Sequence, residues 1–230
     1  GQRRIGKSSL SFFVYNHFLE NCSNEYEPIW IDCQSNFVKS VDGFFRQIKA
    51  NSTLDYSSGT TRQKCLQNFE NAITKAPKKI LLFIDEFEII TDAVYQEQFD
   101  QEFYMQLRML AGRGKNLAMV VVSHSTLPKI CKHVLGISSP FYNIFTTIQL
   151  NKFSRKDVNE YLKAEHDGFR FSNHEIFFIK LIKNHRHPLV IQVASEAVFL
   201  NHFSQERDTV VRKRISQQVI NYLDHDAVKL

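Results

Sequence analysis

The sequence predicts an α/β fold in which a parallel sheet flanked by helices is followed by a helical region. Over residues 1–151, short apolar runs alternate with segments whose apolar residues recur at helical spacing, which is typical of a parallel sheet covered on both faces. From residue 152 onward only helical patterns remain. The chain has 230 residues, of which 43% are hydrophobic, enough for one large core and a smaller one. We therefore expect two domains, 1–151 and 152–230.

Strands are predicted at four apolar runs, residues 28–33, 79–85, 117–123 and 144–150. Helices are predicted over 7–19, 38–49, 61–75, 95–111 and 127–134, then from Ser154, Ser172 and Pro188 and over 207–223. In the first helix, the spacing of Leu10, Phe13, Val14 and Phe18 indicates one buried stripe. Ser154 with Asp157, and Ser172 with Glu175, fit capping boxes at helix starts.

Composition excludes several classes of protein. No run reaches the roughly 20 apolar residues of a membrane span, and no secretory leader opens the chain, so we expect a cytoplasmic protein without membrane contact. The four cysteines have no C-x-x-C spacing, which argues against a zinc site or a disulfide framework. The net charge of +5 and the basic stretch 207–214 fit a solvated helix face as well as a nucleic-acid contact.

The first eight residues match a phosphate-binding pattern, G-x-x-x-x-G-K-[ST], at each fixed position. Glycines let such a loop turn its backbone N–H groups toward phosphates, and the helix that follows adds its positive end. We predict that ATP binds to these residues and to Ser9, with Lys7 on the β- and γ-phosphates and the Ser8 hydroxyl on Mg²⁺. The eight residues are Gly1, Gln2, Arg3, Arg4, Ile5, Gly6, Lys7 and Ser8. Because a phosphate loop follows a strand, we expect that first strand to lie outside this sequence.

Two acids follow the most apolar of the predicted strands. Asp85 ends that run and Glu86 comes directly after it. A carboxylate at the end of a buried strand can hold Mg²⁺, and its neighbour can orient the attacking water. We therefore predict Asp85 as a magnesium ligand and Glu86 as the catalytic base.

Polar residues also follow the third predicted strand, at the sheet edge where ligands bind in open α/β sheets. Ser123 is our first candidate for a group that senses the γ-phosphate or positions water, and His124 is the second. Simple helix capping explains these side chains equally well.

Four segments together resemble the AAA+-related STAND ATPases over nearly the whole chain. They are the phosphate loop, Ile84-Asp85-Glu86-Phe87, residues 120–125, and the pattern that runs from Leu150 through Phe153 and Val158 to Tyr161. The resemblance implies an additional-strand P-loop NTPase core with a catalytic glutamate and a helical lid. It also implies an ATP-driven signalling switch of the kind that includes bacterial antiviral sensors.

The chain departs from that family in two places. Members often carry Gly-x-Pro in the lid near the nucleotide, whereas this chain has Arg186-His187-Pro188. It keeps the proline, and we expect Pro188 to shape the adenine side of the pocket. Residues 127–145, where ring-forming AAA+ proteins present an arginine finger, contain no arginine.

The leading hypothesis is a Mg²⁺-dependent ATPase that works as a regulatory switch. Its partners would be ATP and ADP, and either another copy or an effector or sensor region outside this sequence. The alternative is a DNA-associated AAA+ ATPase, initiator-like or a transposition regulator, that uses the basic stretch 207–214. A scaffold without hydrolysis is disfavoured because Lys7, Ser8, Asp85 and Glu86 are all present.

A missing arginine finger predicts slow turnover by the isolated chain. The usual donor segment offers only Lys129 and Lys132, and the nearest arginines are Arg113 and Arg155. Lysine lacks the planar fork with which arginine stabilises the charge of phosphoryl transfer. We therefore expect assembly or a partner to supply the missing charge.

Overall fold

A computed structural model describes residues 4–57, 59, 61–113, 116–130, 141–166, 168–182, 184–204 and 208–224. Three strands form a parallel sheet, β1 (Tyr26–Asp32), β2 (Lys79–Asp85) and β3 (Leu117–Val121), in the order β1-β2-β3. In register, Asp32 lies opposite Asp85, and Ile84 lies opposite Val121. Six of the seven residues of β2 are buried, because this strand is central and its apolar side chains are covered on both faces. The first three predicted strands and the predicted fold class are confirmed.

Four complete helices of the described residues accompany the sheet, α1 (Lys7–Asn21), α2 (Val41–Ala50), α3 (Arg62–Lys75) and α4 (Gln101–Arg113). Side-chain caps explain where two of them begin. The Ser40 hydroxyl accepts from the Gly43 N–H before α2, and the Thr61 hydroxyl accepts from the Lys64 N–H before α3. The core beside the sheet is rich in fully buried aromatic side chains, among them Phe44, Phe45, Phe69, Phe87, Phe99, Phe103 and Tyr104.

The predicted buried stripe of α1 is wrong in part. Phe13 is 70% exposed and Leu10 is 46% exposed. Val14 and Phe18 of the predicted stripe are partly buried. The helix also turns Ser11 and Tyr15 inward beside Phe18, and Tyr15 contacts both Trp30 and Phe83 at ring-centroid distances of 5.6 Å. These three positions are also spaced at i, i+4 and i+7. Since α1 carries apolar residues around most of its circumference, helical spacing could not select the face.

The predicted fourth strand, residues 144–150, does not form among the described residues. A short 3-10 turn covers Phe141–Ile144, and residues 145–150 have no regular secondary structure. Ile148 is 82% exposed. A strand needs the backbone of a neighbour to bond with, and no described strand lies alongside this segment. Of the predicted helix 127–134, residues 127–130 are helical and the remainder lies outside the described residues.

In the second part of the chain, the residues that the structure describes form four helices, α5 (Arg155–Lys163), α6 (Asn173–Lys180), α7 (Pro188–Ser204) and α8 (Asp208–Asp224). Both predicted capping boxes are present, Ser154 with Asp157 and Ser172 with Glu175. The apolar faces of these helices share a core of their own, which includes Val158, Leu162, Ile179, Ala194, Val198 and Ile215. No helix in the described ranges is long and apolar enough to span a membrane.

The chain divides into two compact units. The first is Lys7–Gln149 and the second is Leu150–Leu230, to which residues 4–6 are also assigned. The first unit contains the sheet and α1 to α4, and the second contains α5 to α8.

Candidate active site

The backbone at the carboxyl end of β2 is held from both sides. The Cys33 N–H after β1 donates to the Asp85 carbonyl oxygen at 3.1 Å. On the other side, the Val122 N–H donates to the Ile84 oxygen at 2.8 Å, and the Phe87 N–H donates to the Val122 oxygen at 3.0 Å. These bonds fix the place where Asp85 and Glu86 leave the sheet, which is the edge where ligands bind in open α/β sheets.

The described part of the predicted phosphate loop, residues 4–6, has a backbone suited to anion binding. Arg4 has φ 54° and Gly6 has φ 92°, on either side of the buried Ile5. Such left-handed residues let neighbouring N–H groups turn toward one point. A Cβ on Gly6 would meet no atom within 4 Å, so its φ and not crowding favours glycine there. Lys7 opens the 15-residue α1, whose free N–H groups and dipole favour an anion at this end.

Not every predicted loop residue can be placed. Gly1, Gln2 and Arg3 lie outside the described residues. Ser8 and Ser9 lie in the first turn of α1.

The two predicted magnesium ligands lie next to each other. The Ser8 hydroxyl donates to Asp85 Oδ1 at 3.1 Å, and the Glu86 N–H donates to the same oxygen at 3.0 Å. Asp85 is only 7% exposed. Burial is the main cause that raises the pKa of Asp85, and the charges of Asp32 and Glu88 add to it, against the two hydrogen bonds, which lower it.

Magnesium fits this pair of residues. A hydroxyl and a carboxylate are hard oxygen donors, and a cation would relieve the cost of burying Asp85. The described residues contain no group of three or more His, Cys, Asp or Glu side chains placed to hold a metal. Mg²⁺ commonly binds one or two carboxylates, several waters and the phosphates of its substrate, so the Ser8 hydroxyl and the Asp85 carboxylate are donors of the kind it takes.

Glu86 has a constrained backbone and a perturbed carboxyl. Its φ of 50° and ψ of 43° are left-handed, a conformation that costs a residue with a Cβ about 1–2 kcal/mol and occurs at functional sites. Burial raises the pKa of Glu86 from 4.5 to about 7, helped by a hydrogen bond with Glu88 and by the charges of Glu88 and Asp85, while Lys7 opposes the shift. A carboxyl with a pKa near the operating pH is suited to accept a proton from water.

Glu88 is a largely buried acid beside the candidate site that the sequence did not single out. It lies in the 3-10 turn Phe87–Ile89, and its side chain is 11% exposed. Its Oε1 accepts from the His124 backbone N–H at 3.2 Å and also pairs with His124 Nδ1. Burial alone would raise the pKa of Glu88, but the hydrogen bond from His124 and bonds from the backbone and Glu86 lower it. The only sequence signal was the third acid in Asp85-Glu86-Phe87-Glu88.

For the remaining candidate residues that the structure describes, it gives a position but no contact that indicates a role. The Ser123 hydroxyl donates to the Ser125 carbonyl oxygen at 2.5 Å. Helix capping, the alternative to phosphate sensing, would instead have the hydroxyl accept from a backbone N–H. Pro188 opens α7 in the second unit, as predicted. Arg155 opens α5 and is exposed. Lys129 lies in the helical stretch 127–130, Lys132 lies outside the described residues, and only the backbone of Arg113 is described.

A protein-family model described as "Novel STAND NTPase 2" matches residues 2–170. Among solved structures, the ORC2 protein of Aeropyrum pernix in its ADPNP–ADP complexes matches with a TM-score of 0.68 and 12% identity, over 94% of this chain and 59% of that one. The ADP form of the same protein gives a TM-score of 0.64 and 13% identity, over 94% and 60%. The chain thus spans less than two thirds of these structures, and at such identity the likeness concerns the fold. No curated protein matches.

Proposed function

The chain belongs to the novel STAND NTPase 2 family, and on that premise we propose that it binds ATP with Mg²⁺ and hydrolyses it. The observation that carries the proposal is the contact of Ser8 with Asp85, at 3.1 Å, beside Glu86 and the first turn of α1. A hydroxyl, a buried carboxylate and a base of raised pKa at the end of a helix are what phosphoryl transfer to water requires. The similar ORC2 structures are ADPNP–ADP complexes and an ADP form, which agrees with a nucleotide as ligand.

Each group has a defined part in the proposed reaction. The loop from Gly1 to Gly6 binds the phosphates through backbone N–H groups, and Lys7 neutralises the β- and γ-phosphate oxygens. Bound magnesium would supply positive charge for the same oxygens, and Ser8 and Asp85 would hold it. Glu86 takes a proton from the attacking water, so that its pKa near 7 matches the task.

Two side chains complete the proposed pocket. Ser123 senses the γ-phosphate from the end of β3, and Pro188 shapes the adenine side. Residues 1–151 act as the nucleotide-binding domain and residues 152–230 as a helical lid. The Ser123 role rests on its place at the end of β3, whereas the Pro188 role and the lid rest on the resemblance to STAND ATPases. Substitution of Ser123 or Pro188 with measurement of ATP affinity tests both roles.

The biological role that we propose is the one that membership of the STAND family suggests. A STAND-type chain would use nucleotide state as a switch for signalling or antiviral defence, through self-association or an attached effector. A role on DNA is the competing proposal, since α8 carries Arg212, Lys213 and Arg214. Arg212 already lies over the Phe178 ring at 5.0 Å, which favours an intramolecular use of that side chain. Binding to nonspecific duplex DNA with a steep salt dependence would favour the DNA role.

Calorimetry with Mg-ATP tests the binding step. Lys7→Ala should weaken ATP affinity by about 30-fold or more, because it removes charge-assisted bonds to the phosphates. The matched control is Lys78→Ala, an exposed lysine just before the opposite end of β2. Equal ATP affinity for parent and Lys7→Ala would remove Lys7 from the site.

A further inference from the structure

The segment after β3 is bonded to the segment after β2 beyond the last strand pair. The Val122 N–H donates to the Ile84 carbonyl oxygen at 2.8 Å, and the Phe87 N–H donates to the Val122 oxygen at 3.0 Å. Hydrogen bonds from a parallel strand to one neighbour recur at every second residue of that strand. The next N–H that faces the β2 side is therefore the backbone N–H of His124.

The Glu88 side chain supplies the acceptor for that N–H. A regular strand pair would offer the Glu86 carbonyl oxygen, but this oxygen accepts from the Ile89 N–H at 3.0 Å. Glu88 Oε1 instead accepts from the His124 backbone N–H at 3.2 Å and also pairs with the ring Nδ1 of His124. Bonds to an ionised carboxylate are stronger than bonds between neutral groups. The largely buried Glu88 side chain thus extends the bonding between the two strands by one step.

Ser123 lies between the two bonded residues, Val122 and His124. Its backbone is therefore held on both sides at the sheet edge where the proposed site lies, and without the Glu88 contact only the Val122 side would remain. The Ser123 hydroxyl donates to the Ser125 carbonyl oxygen in this structure. A hydroxyl hydrogen can rotate to another acceptor, so a phosphate oxygen placed beside Ser123 could receive it.

We propose that Glu88 is a positioning residue that sets the preference for ATP over ADP, because through His124 it holds Ser123 where the γ-phosphate of ATP is bound. The inference rests on the proposed function, in which Ser123 senses the γ-phosphate. It makes His124 a tether and not a second sensor. Since ADP lacks the γ-phosphate, loss of the tether should weaken the binding of ATP and leave the binding of ADP unchanged.

Calorimetry of the full chain with ADP and with a non-hydrolysable ATP analogue, each with Mg²⁺, tests the inference. Glu88→Ala removes the acceptor and should raise the Kd for the ATP analogue by about tenfold, the loss expected for one hydrogen bond to a charged group. The Kd for ADP should not change. Glu88→Gln keeps a side-chain oxygen at this position and should retain most of the affinity. Glu97→Ala, at an exposed acid, is the control and should bind both nucleotides as the parent does.

Three results would overturn the inference. The first is an unchanged Kd for the ATP analogue in Glu88→Ala. The second is an equal loss for both nucleotides, because it would show a general change of the site. The third is a Glu88→Gln variant as weak as Glu88→Ala, because the acceptor oxygen would then not be the cause.

The Ser123→Ala background shows whether Glu88 acts through Ser123. Ser123→Ala alone should weaken binding of the ATP analogue by about tenfold and leave ADP unaffected. Adding Glu88→Ala should then cost little more, because residues that act as a unit are not additive. A further tenfold loss would show that Glu88 acts by another route and contradict the inference. Failure of the parent to bind either nucleotide would instead contradict the proposed function itself.

Discussion

The left-handed backbone at Glu86 predicts an unusual ranking of two substitutions. Glu86→Ala and Glu86→Gly both remove the carboxyl, so both lose its interactions with Glu88, Asp85 and Lys7. They differ in the Cβ, which at φ 50° and ψ 43° costs about 1–2 kcal/mol in alanine and nothing in glycine. Alanine cannot easily relax this strain, because hydrogen bonds to neighbouring strands hold the backbone on both sides of the position.

The free energies of unfolding of the two variants should differ by about 1 kcal/mol. Glu86→Gly avoids the strain of the left-handed backbone, which stabilises its folded state relative to that of Glu86→Ala. Glycine also gives the unfolded chain more conformational freedom, which lowers the free energy of unfolding by about 0.4–1 kcal/mol. The free energy of unfolding of Glu86→Gly should therefore exceed that of Glu86→Ala by about 1 kcal/mol.

Urea unfolding of metal-free protein is the assay, with the fluorescence of the single tryptophan as the signal. Trp30 lies on β1 and stacks on Phe83, so it reports on the unit that contains Glu86. The control is Glu70, exposed in the interior of α3, where alanine should be the more stable by about 1 kcal/mol. The same order at both positions would refute the argument from backbone strain.

Two further predictions concern pH and assembly. Because folding raises the pKa of Glu86 from 4.5 to about 7, its stabilising contribution is complete below pH 4.5 and is lost as pH rises through 7. The stability of metal-free parent should therefore fall relative to Glu86→Gln by on the order of 1–2 kcal/mol over that range, after discounting for partial exposure, and a constant difference between urea midpoints would contradict this. Steady-state ATP hydrolysis per molecule should rise with protein concentration, and Arg113→Ala or Arg155→Ala should abolish the rise if that arginine is the finger. Fast turnover that stays constant down to low nanomolar protein would show that one chain suffices.

Local sequence was enough to predict the first three strands and the helix caps, because the causes of these elements are local. The apolar residues of β2 are bounded by Pro77 and by acids, and the capping serines lie three residues from their partners. The phosphate loop is likewise one contiguous pattern. These features needed no knowledge of distant residues.

The sequence-based predictions were wrong or incomplete where the structure depends on residues that are distant in the sequence. Residues 144–150 have a strand-like pattern, but pairing depends on a neighbour that sequence spacing does not supply. The face of α1 depends on where Trp30 and Phe83 lie. Glu88 resembled a surface acid until the fold brought His124, which is 36 residues away, into contact with it.

The central claim is that Glu86 activates water for hydrolysis of an ATP held by the loop and Ser8. The most direct test measures Mg-ATP affinity and single-turnover hydrolysis on Glu86→Gln, with Glu97→Gln, an exposed acid, as control. Glu86→Gln should bind ATP as the parent does and hydrolyse it at least about a hundredfold more slowly, while Glu97→Gln behaves as the parent. Hydrolysis by Glu86→Gln at the parent rate would contradict the account, because another group would then be the base.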